Sequence, residues 1–168
     1  MLIPTFFTKN ISRVESNKNF SLPLILNTNK DIELVFFGYS GCSDICTPRL
    51  YSLNEIYSTL DEDVKEKVGV VFLDISIPKD RELPQRFAKF FNKEFRGVYL
   101  DANSLRSYTK VFGIYFAKSL TKDKEYEHTA NLYLVKKTDA KKEIRYIYNA
   151  HPYDIEQIKE DIGRLSYE

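Results

Sequence analysis

Tryptophan is missing from this 168-residue chain, and cysteine and histidine occur only twice each. Neither sign of charge is in excess, since 25 basic residues face 24 acidic ones and leave a formal net charge of +1. That balance excludes the broad basic footprint of a nucleic-acid binder and the block of like charge that marks an acidic tail. No apolar run reaches the roughly 18 residues needed to span a bilayer as a helix. The opening Met1-Leu2-Ile3-Pro4-Thr5-Phe6-Phe7 is too short for a complete signal peptide and lacks a basic start. Internal repeats and low-complexity blocks are absent as well. What remains is the composition of a soluble globular protein, 43% hydrophobic and 29% charged, of a length that gives one domain with a full core. Tyrosine and phenylalanine are plentiful and sit inside apolar runs, as core packing requires.

Both cysteines fall in one stretch, Glu33 to Leu50, reading E-L-V-F-F-G-Y-S-G-C-S-D-I-C-T-P-R-L. Leu34 to Phe37 is a continuous apolar run, the pattern of a strand buried on both faces. A glycine-containing turn follows, then Cys42 and Cys46. From Thr47 onward, Leu50, Leu53, Ile56, Tyr57 and Leu60 recur at helical spacing.

Before this stretch, residues 1–20 read as a polar extended arm, with a short hairpin near Phe20–Leu24 and a turn over Asn27–Asp31. After it, Asp61 to Lys67 reads as a charged connection and Val68–Leu73 as a second buried strand. A loop from Asp74 to Pro84 leads to a helix over Gln85–Asn92, with Phe87, Phe90 and Phe91 inward. Val98–Leu100 is a short strand. Leu105, Tyr108, Val111 and Phe112 mark a helix closed by Gly113. Leu132–Val135 and Ile144–Tyr148 read as a hairpin around a polar turn. A last helix starts at Asp154, with Ile155, Ile158, Ile162 and Leu165 on one face. The order β-α-β-α-(β-α)-β-β-α, with a cysteine pair after the first central strand, predicts an α/β thioredoxin-like fold with a central mixed sheet flanked by helices. The expected division is an N-terminal extension over 1–19 and the domain over 20–168.

The cysteines are spaced Cys-x-x-x-Cys. If both lie on the helix, residues four apart share a face with Cα atoms about 6 Å apart, so both sulfurs point at one spot. Thiolates are favoured at a helix N-terminus. That supports a reactive dithiol or a soft-metal clamp; a structural disulfide is the plainer alternative, though so short a loop gains little from it. A metal needs a third ligand. His128, just before the strand at Leu132, is the candidate that the fold would bring to the cysteines; two cysteines with one histidine suit Cu(I), and zinc is the alternative, although a structural zinc site would want a fourth ligand. His151 reads as a surface or capping residue, Asp44 as a cap or charge-tuning residue, and Tyr39 as packing. The Thr-x-x-Cys of a peroxidase is absent around Cys42.

These motifs resemble those of the Sco/SenC family, thioredoxin-fold copper-binding proteins that serve assembly of the CuA centre of cytochrome c oxidase. The family's Gly-Tyr-x-x-Cys-Pro-Asp-x-Cys-Pro is matched by Gly38-Tyr39-Ser40-Gly41-Cys42-Ser43-Asp44-Ile45-Cys46-Thr47, and its Asp-His before a strand by Glu127-His128. The resemblance runs from about Phe20 to Ile162. It implies Cys42, Cys46 and His128 as ligands of a copper ion, Cu(I) or Cu(II), and a metallochaperone that delivers copper to the CuA site of cytochrome c oxidase subunit II or to another copper acceptor. The same residues leave two other readings open: a thiol-disulfide oxidoreductase in which Cys42 and Cys46 are the redox dithiol, kept reduced by a thioredoxin-like partner, and a copper or redox sensor. A monomer is expected, in the periplasm and tethered to the inner membrane by a segment preceding this chain, with the mitochondrial intermembrane space as the alternative. The sequence departs from the family pattern in three places. Ser43 and Thr47 replace the two prolines. Pro78–Pro84 holds one residue more than the family's loop. Ile77 stands where that loop begins with an acid, leaving Asp74 or Asp80 to supply it.

Overall fold

The computed structural model describes residues 12–22, 29–118, 120, 126–138 and 141–168. The first eleven residues of the expected arm, the end of the hairpin at Leu24 and the start of the turn at Asn27 lie outside them. Along the chain come β1 (Arg13–Phe20), β2 (Ile32–Gly38), α1 (Cys46–Ser58), α2 (Glu62–Lys67), β3 (Val68–Asp74), α3 (Leu83–Phe91) and β4 (Arg96–Tyr99). Then follow α4 (Ala102–Phe112), β5 (Phe116–Lys118), β6 (Tyr126–His128), β7 (Leu132–Lys137), β8 (Lys142–Tyr148) and α5 (Ile155–Ser166).

Six strands form one mixed sheet in the order β1-β8-β7-β2-β3-β4. The three on one side, β2, β3 and β4, run parallel, whereas β7, β8 and β1 join by antiparallel pairing. Every residue of β2 is buried, Glu33 included, as the apolar run Leu34–Phe37 at its centre requires of a strand covered on both faces. Side chains alternate between two cores. On one face Leu34, Phe36, Val70 and Phe72 meet Leu50, Leu53 and Ile56 of α1 and Ile158, Ile162 and Leu165 of α5. On the other, Val35, Phe37, Val71 and Tyr133 meet Leu105, Tyr108 and Phe112 of α4.

Local chemistry sets the helix ends. Pro48 lies in the first turn of α1, where its missing N–H has no intrahelical partner to lose, and Arg49 makes the first bond back, to the Ile45 carbonyl. Asp101 caps α4 by accepting from the Ser104 N–H, and Gly113 ends it in the left-handed conformation, φ 66°. Asp154 caps α5 through the Gln157 N–H.

One reading is completed and three change. Residues 13–20, read as an extended arm, are extended and form the edge strand of the sheet, paired with β8; polar residues suit an edge with one solvated face. The charged run after Asp61 contains a short helix, α2. Phe90 points outward and is 74% exposed, because the buried stripe of α3 runs through Pro84, Ala88 and Phe91, and Phe90 lies about 100° around the helix from Phe91. The short β5–β6 ribbon went unread, since three-residue strands are too short to show alternation.

The second core holds a titration the fold must resist. Burial pushes the Tyr133 phenol up to about 12, against about 10 in an unfolded chain. The unfolded state therefore gives up this proton at a pH where the native state still holds it. Stability is complete below pH ~10 and falls by about 1.4 kcal/mol per pH unit between about 10 and 12. Urea unfolding at pH 9, 10 and 11 should show this loss, and Tyr133→Phe should reduce its slope by one proton.

Candidate dithiol and metal site

Strands β2 and β3 end side by side, Gly38 paired with Asp74, and the chain leaves the sheet there in two loops. The first carries the cysteines. Cys42 is not on the helix: Gly41, at φ 91°, turns the chain away first, and α1 begins only at Cys46. The sulfurs nevertheless converge, because the Cys46 backbone N–H donates to Cys42 Sγ at 3.3 Å. Cys42 thus supplies from its sulfur the acceptor that an N-cap oxygen usually gives. Ile45 occupies the cap position and its own side chain makes no cap bond; Asp44 accepts from Ser43 Oγ rather than capping the helix. Thr47, standing where the family pattern has proline, donates its hydroxyl to the Cys42 carbonyl at 2.8 Å.

Both cysteines are free thiols, Cys42 4% exposed and Cys46 fully buried. They share one titration. The Cys46 thiol donates to the Cys42 sulfur and holds the Cys42 pKa well below the usual thiol range, against the opposing effect of burial. The same bond, with burial, drives Cys46 the other way. Cys42 is the first thiolate and Cys46 keeps its proton.

His128 ends β6, outside the main sheet, paired with Phe116 of β5. Its Nδ1 lies 3.0 Å from the Thr129 carbonyl. A carbonyl can only accept, so Nδ1 is the donor there and Nε2 is the nitrogen that faces the site. Nε2 stands 3.9 Å from Cys46 Sγ. Tyr39 packs edge-on against the imidazole, ring centres 6.3 Å apart, in the packing role read from the sequence. Arg49, which the sequence reading passed over, joins the two halves: its guanidinium donates to the Ala130 carbonyl and to the Tyr153 hydroxyl. The first turn of α1 is thereby tied to the segment between His128 and β7. No local pattern marks such a residue. His151 is exposed, its ring against Tyr153, in agreement with its surface reading.

Among the described residues no group of three or more His, Cys, Asp or Glu side chains stands closed around a metal position. The open pair still fits one ion. Metal–nitrogen and metal–sulfur bonds of about 2.0 and 2.3 Å, the zinc values, let a single ion bridge at most about 4.3 Å, and Cys46 Sγ and His128 Nε2 are 3.9 Å apart. Of the two acids considered for the second loop, Asp74 is the one beneath the cysteines, fully buried and bonded to Ser40. Asp80 is exposed and paired with Arg86. Ile77 takes φ 49° and is 39% exposed.

A mixed sheet with helices on both faces, and a cysteine pair where the first parallel strand turns into its helix, defines a thioredoxin-like protein with a dithiol at the carboxyl ends of its strands. The SCO1/SenC family model matches residues 28–166. The chain belongs to that family. It is 26% identical over 121 residues to an SCO2-like protein of Rickettsia conorii, an alignment covering 66% of this chain and 58% of the relative; the match thus spans little more than half of that protein. Among solved structures, apo Sco1 of Thermus thermophilus superposes with a TM-score of 0.70 at 23% identity, covering 94% of this chain and 95% of the other. Copper-bound ScoI of Bradyrhizobium japonicum superposes with a TM-score of 0.65 at 25% identity, covering 82% and 86%.

Proposed function

We propose that this protein is a copper carrier whose ligands are Cys42, Cys46 and His128, and that it passes the ion to an acceptor, for which the CuA site of cytochrome c oxidase subunit II is the leading choice. The observation that carries this reading is the approach of His128 Nε2 to Cys46 Sγ, with the other imidazole nitrogen already committed to a carbonyl. A histidine so oriented, its second nitrogen fixed by a carbonyl, is what a metal ligand requires, although the same imidazole also helps lower the Cys42 pKa. Two sulfurs and one imidazole favour Cu(I) over harder ions. The copper-bound ScoI relative supports the same ion. Each ligand comes from a different constraint: Cys42 from the turn, Cys46 from the helix start, His128 from the ribbon. Binding closes the set, and it displaces the Cys46 proton as it does so.

An extracytoplasmic setting, the periplasm with a membrane tether, belongs to this proposal; no helix among the described residues is long and apolar enough to cross a membrane. The second reading, thiol-disulfide exchange, draws on the lowered pKa of Cys42, which provides an attacking thiolate at neutral pH.

An anaerobic Cu(I) titration against a chromophoric chelator, followed by native mass spectrometry, separates the two. Wild type should hold one copper, and His128→Ala should bind at least tenfold more weakly. If wild type binds no better than the Cys42→Ser/Cys46→Ser double variant, the carrier reading fails. Disulfide exchange then becomes the leading account.

A further inference from the structure

Below the cysteine loop lies a carboxylate that the copper site does not use as a ligand. Asp74 is the last residue of β3, and its side chain is fully buried. One oxygen, Oδ2, accepts from the Ser40 backbone N–H at 2.9 Å and from the Ser40 hydroxyl. The other, Oδ1, accepts from the Ser76 N–H at 2.8 Å and the Ser76 hydroxyl at 2.6 Å. One carboxylate therefore spans the two loops that leave the sheet at Gly38 and Asp74, one oxygen to each.

Burying a charge is costly unless it is fully satisfied. Here, among the described residues, amides and hydroxyls meet it in place of a cation. Packing alone gives no reason for a charge at this point, where an apolar residue would fill the space more cheaply. What the carboxylate adds is fixed placement. Ser40 is two residues from Cys42, and the next bond up the loop, Cys42 N–H to the Tyr39 carbonyl at 3.2 Å, is within the loop itself. Gly41 at φ 91° gives the segment a conformation that many chain paths could leave.

We propose that Asp74 is a positioning residue that acts through Ser40 to hold Cys42 against Cys46, so that the two sulfurs meet as a preorganised pair. The proposal concerns the dithiol and rests on no metal, so it survives if the copper reading fails.

The test is thiol-disulfide exchange with glutathione, without copper. The Cys42 thiolate attacks oxidised glutathione, forming a mixed disulfide and releasing one glutathione thiolate. Cys46, losing its proton, then attacks the Cys42 sulfur and releases the second. The protein dithiol is oxidised to a disulfide, and one glutathione disulfide is reduced to two thiols. The balance between mixed and internal disulfide gives the effective concentration of Cys46 at Cys42, which measures preorganisation. Asp74→Asn puts a donor where an acceptor is needed and should lower this concentration at least tenfold. Ser40→Ala should lower it severalfold, and Ser40→Thr, which keeps the hydroxyl, should restore it. The remote core variant Ile158→Val, destabilised but untouched at the site, should match wild type. Should Asp74→Asn misfold, the Ser40 pair decides alone. Equal values for Ser40→Ala and wild type, or a Ser40→Thr value as low as that of Ser40→Ala, would overturn the proposal; so would an equal fall in Ile158→Val, since general destabilisation would then suffice.

Discussion

Gly38→Ala is expected to damage the site as severely as losing a ligand, although residue 38 touches no metal and has ordinary strand geometry. A Cβ built there meets Cys46 Sγ at 2.6 Å, the Phe72 ring at 3.0 Å and the Phe36 ring at 3.3 Å. Both rings are fully buried in the core beneath α1 and α5, so neither has space to retreat into. The Cys46 sulfur must move, and it faces His128 Nε2 across 3.9 Å. A shift of one ångström away from the imidazole would take the 3.9 Å separation beyond the about 4.3 Å that one ion bridges, and a shift in any other direction spoils the angle at the ion. Cu(I) affinity should fall at least a hundredfold, about 2.7 kcal/mol at 1.36 kcal/mol per decade. Overpacking should cost about 1–3 kcal/mol of stability in addition. Competition titration reads the first effect and urea unfolding the second. Wild-type affinity in a folded Gly38→Ala protein would show that Cys46 is not held where the geometry places it.

The same residue shows where the sequence was legible. Gly38-Tyr39 could be read as part of a turn before the cysteines, and the pattern around it located β2, α1 and the dithiol. The contact that makes a glycine necessary could not be read, because it involves a sulfur eight residues on and rings from β2 and β3. Periodicity is a local signal. It revealed the long buried strands, the helix over Leu50–Leu60 and the Gly113 stop. It was silent on β5 and β6, each three residues long, and so put His128 in a loop when it belongs to a ribbon. The i, i+4 spacing of the cysteines suggested one helical face. The sulfurs do converge, but through a backbone N–H reaching back to Cys42, since a left-handed Gly41 takes Cys42 off the helix. Asp74 and Asp80 were equivalent as letters. Only the pairing of Gly38 with Asp74 at the ends of their strands distinguishes them.

Asp161→Ala is expected to destabilise the whole fold while leaving the proposed copper site as it is. Asp161 lies on α5, fully buried, and gathers groups from three elements. Arg13 of β1 and Arg164 of α5 both pair with Oδ1, and the buried Tyr148 hydroxyl of β8 donates to Oδ2 at 2.7 Å. Truncation leaves the Tyr148 hydroxyl without its acceptor and removes the tie between the edge strand and the helix. Arg13 and Arg164 are part-exposed, 25% and 52%, and can return to water. The cost therefore sits at the low end of the range for breaking a buried pair, about 3 kcal/mol. For a chain of this size that lowers Tm by about 10 °C. Adding Tyr148→Phe should recover part of the loss, since it removes the stranded hydroxyl. Arg13→Ala should cost less, about 1 kcal/mol, because Arg164 still meets the carboxylate. Cu(I) affinity should stay within about threefold of wild type in all three, since the network touches none of Cys42, Cys46 and His128. Thermal unfolding of the single and double variants measures the coupling. If Asp161→Ala and Asp161→Ala/Tyr148→Phe melt together, the hydroxyl is not the group that the loss of the carboxylate strands. A fall in copper affinity that tracks the fall in Tm would show instead that the edge strand and the site are one cooperative unit, and that what fixes β1 to α5 also fixes the cysteines.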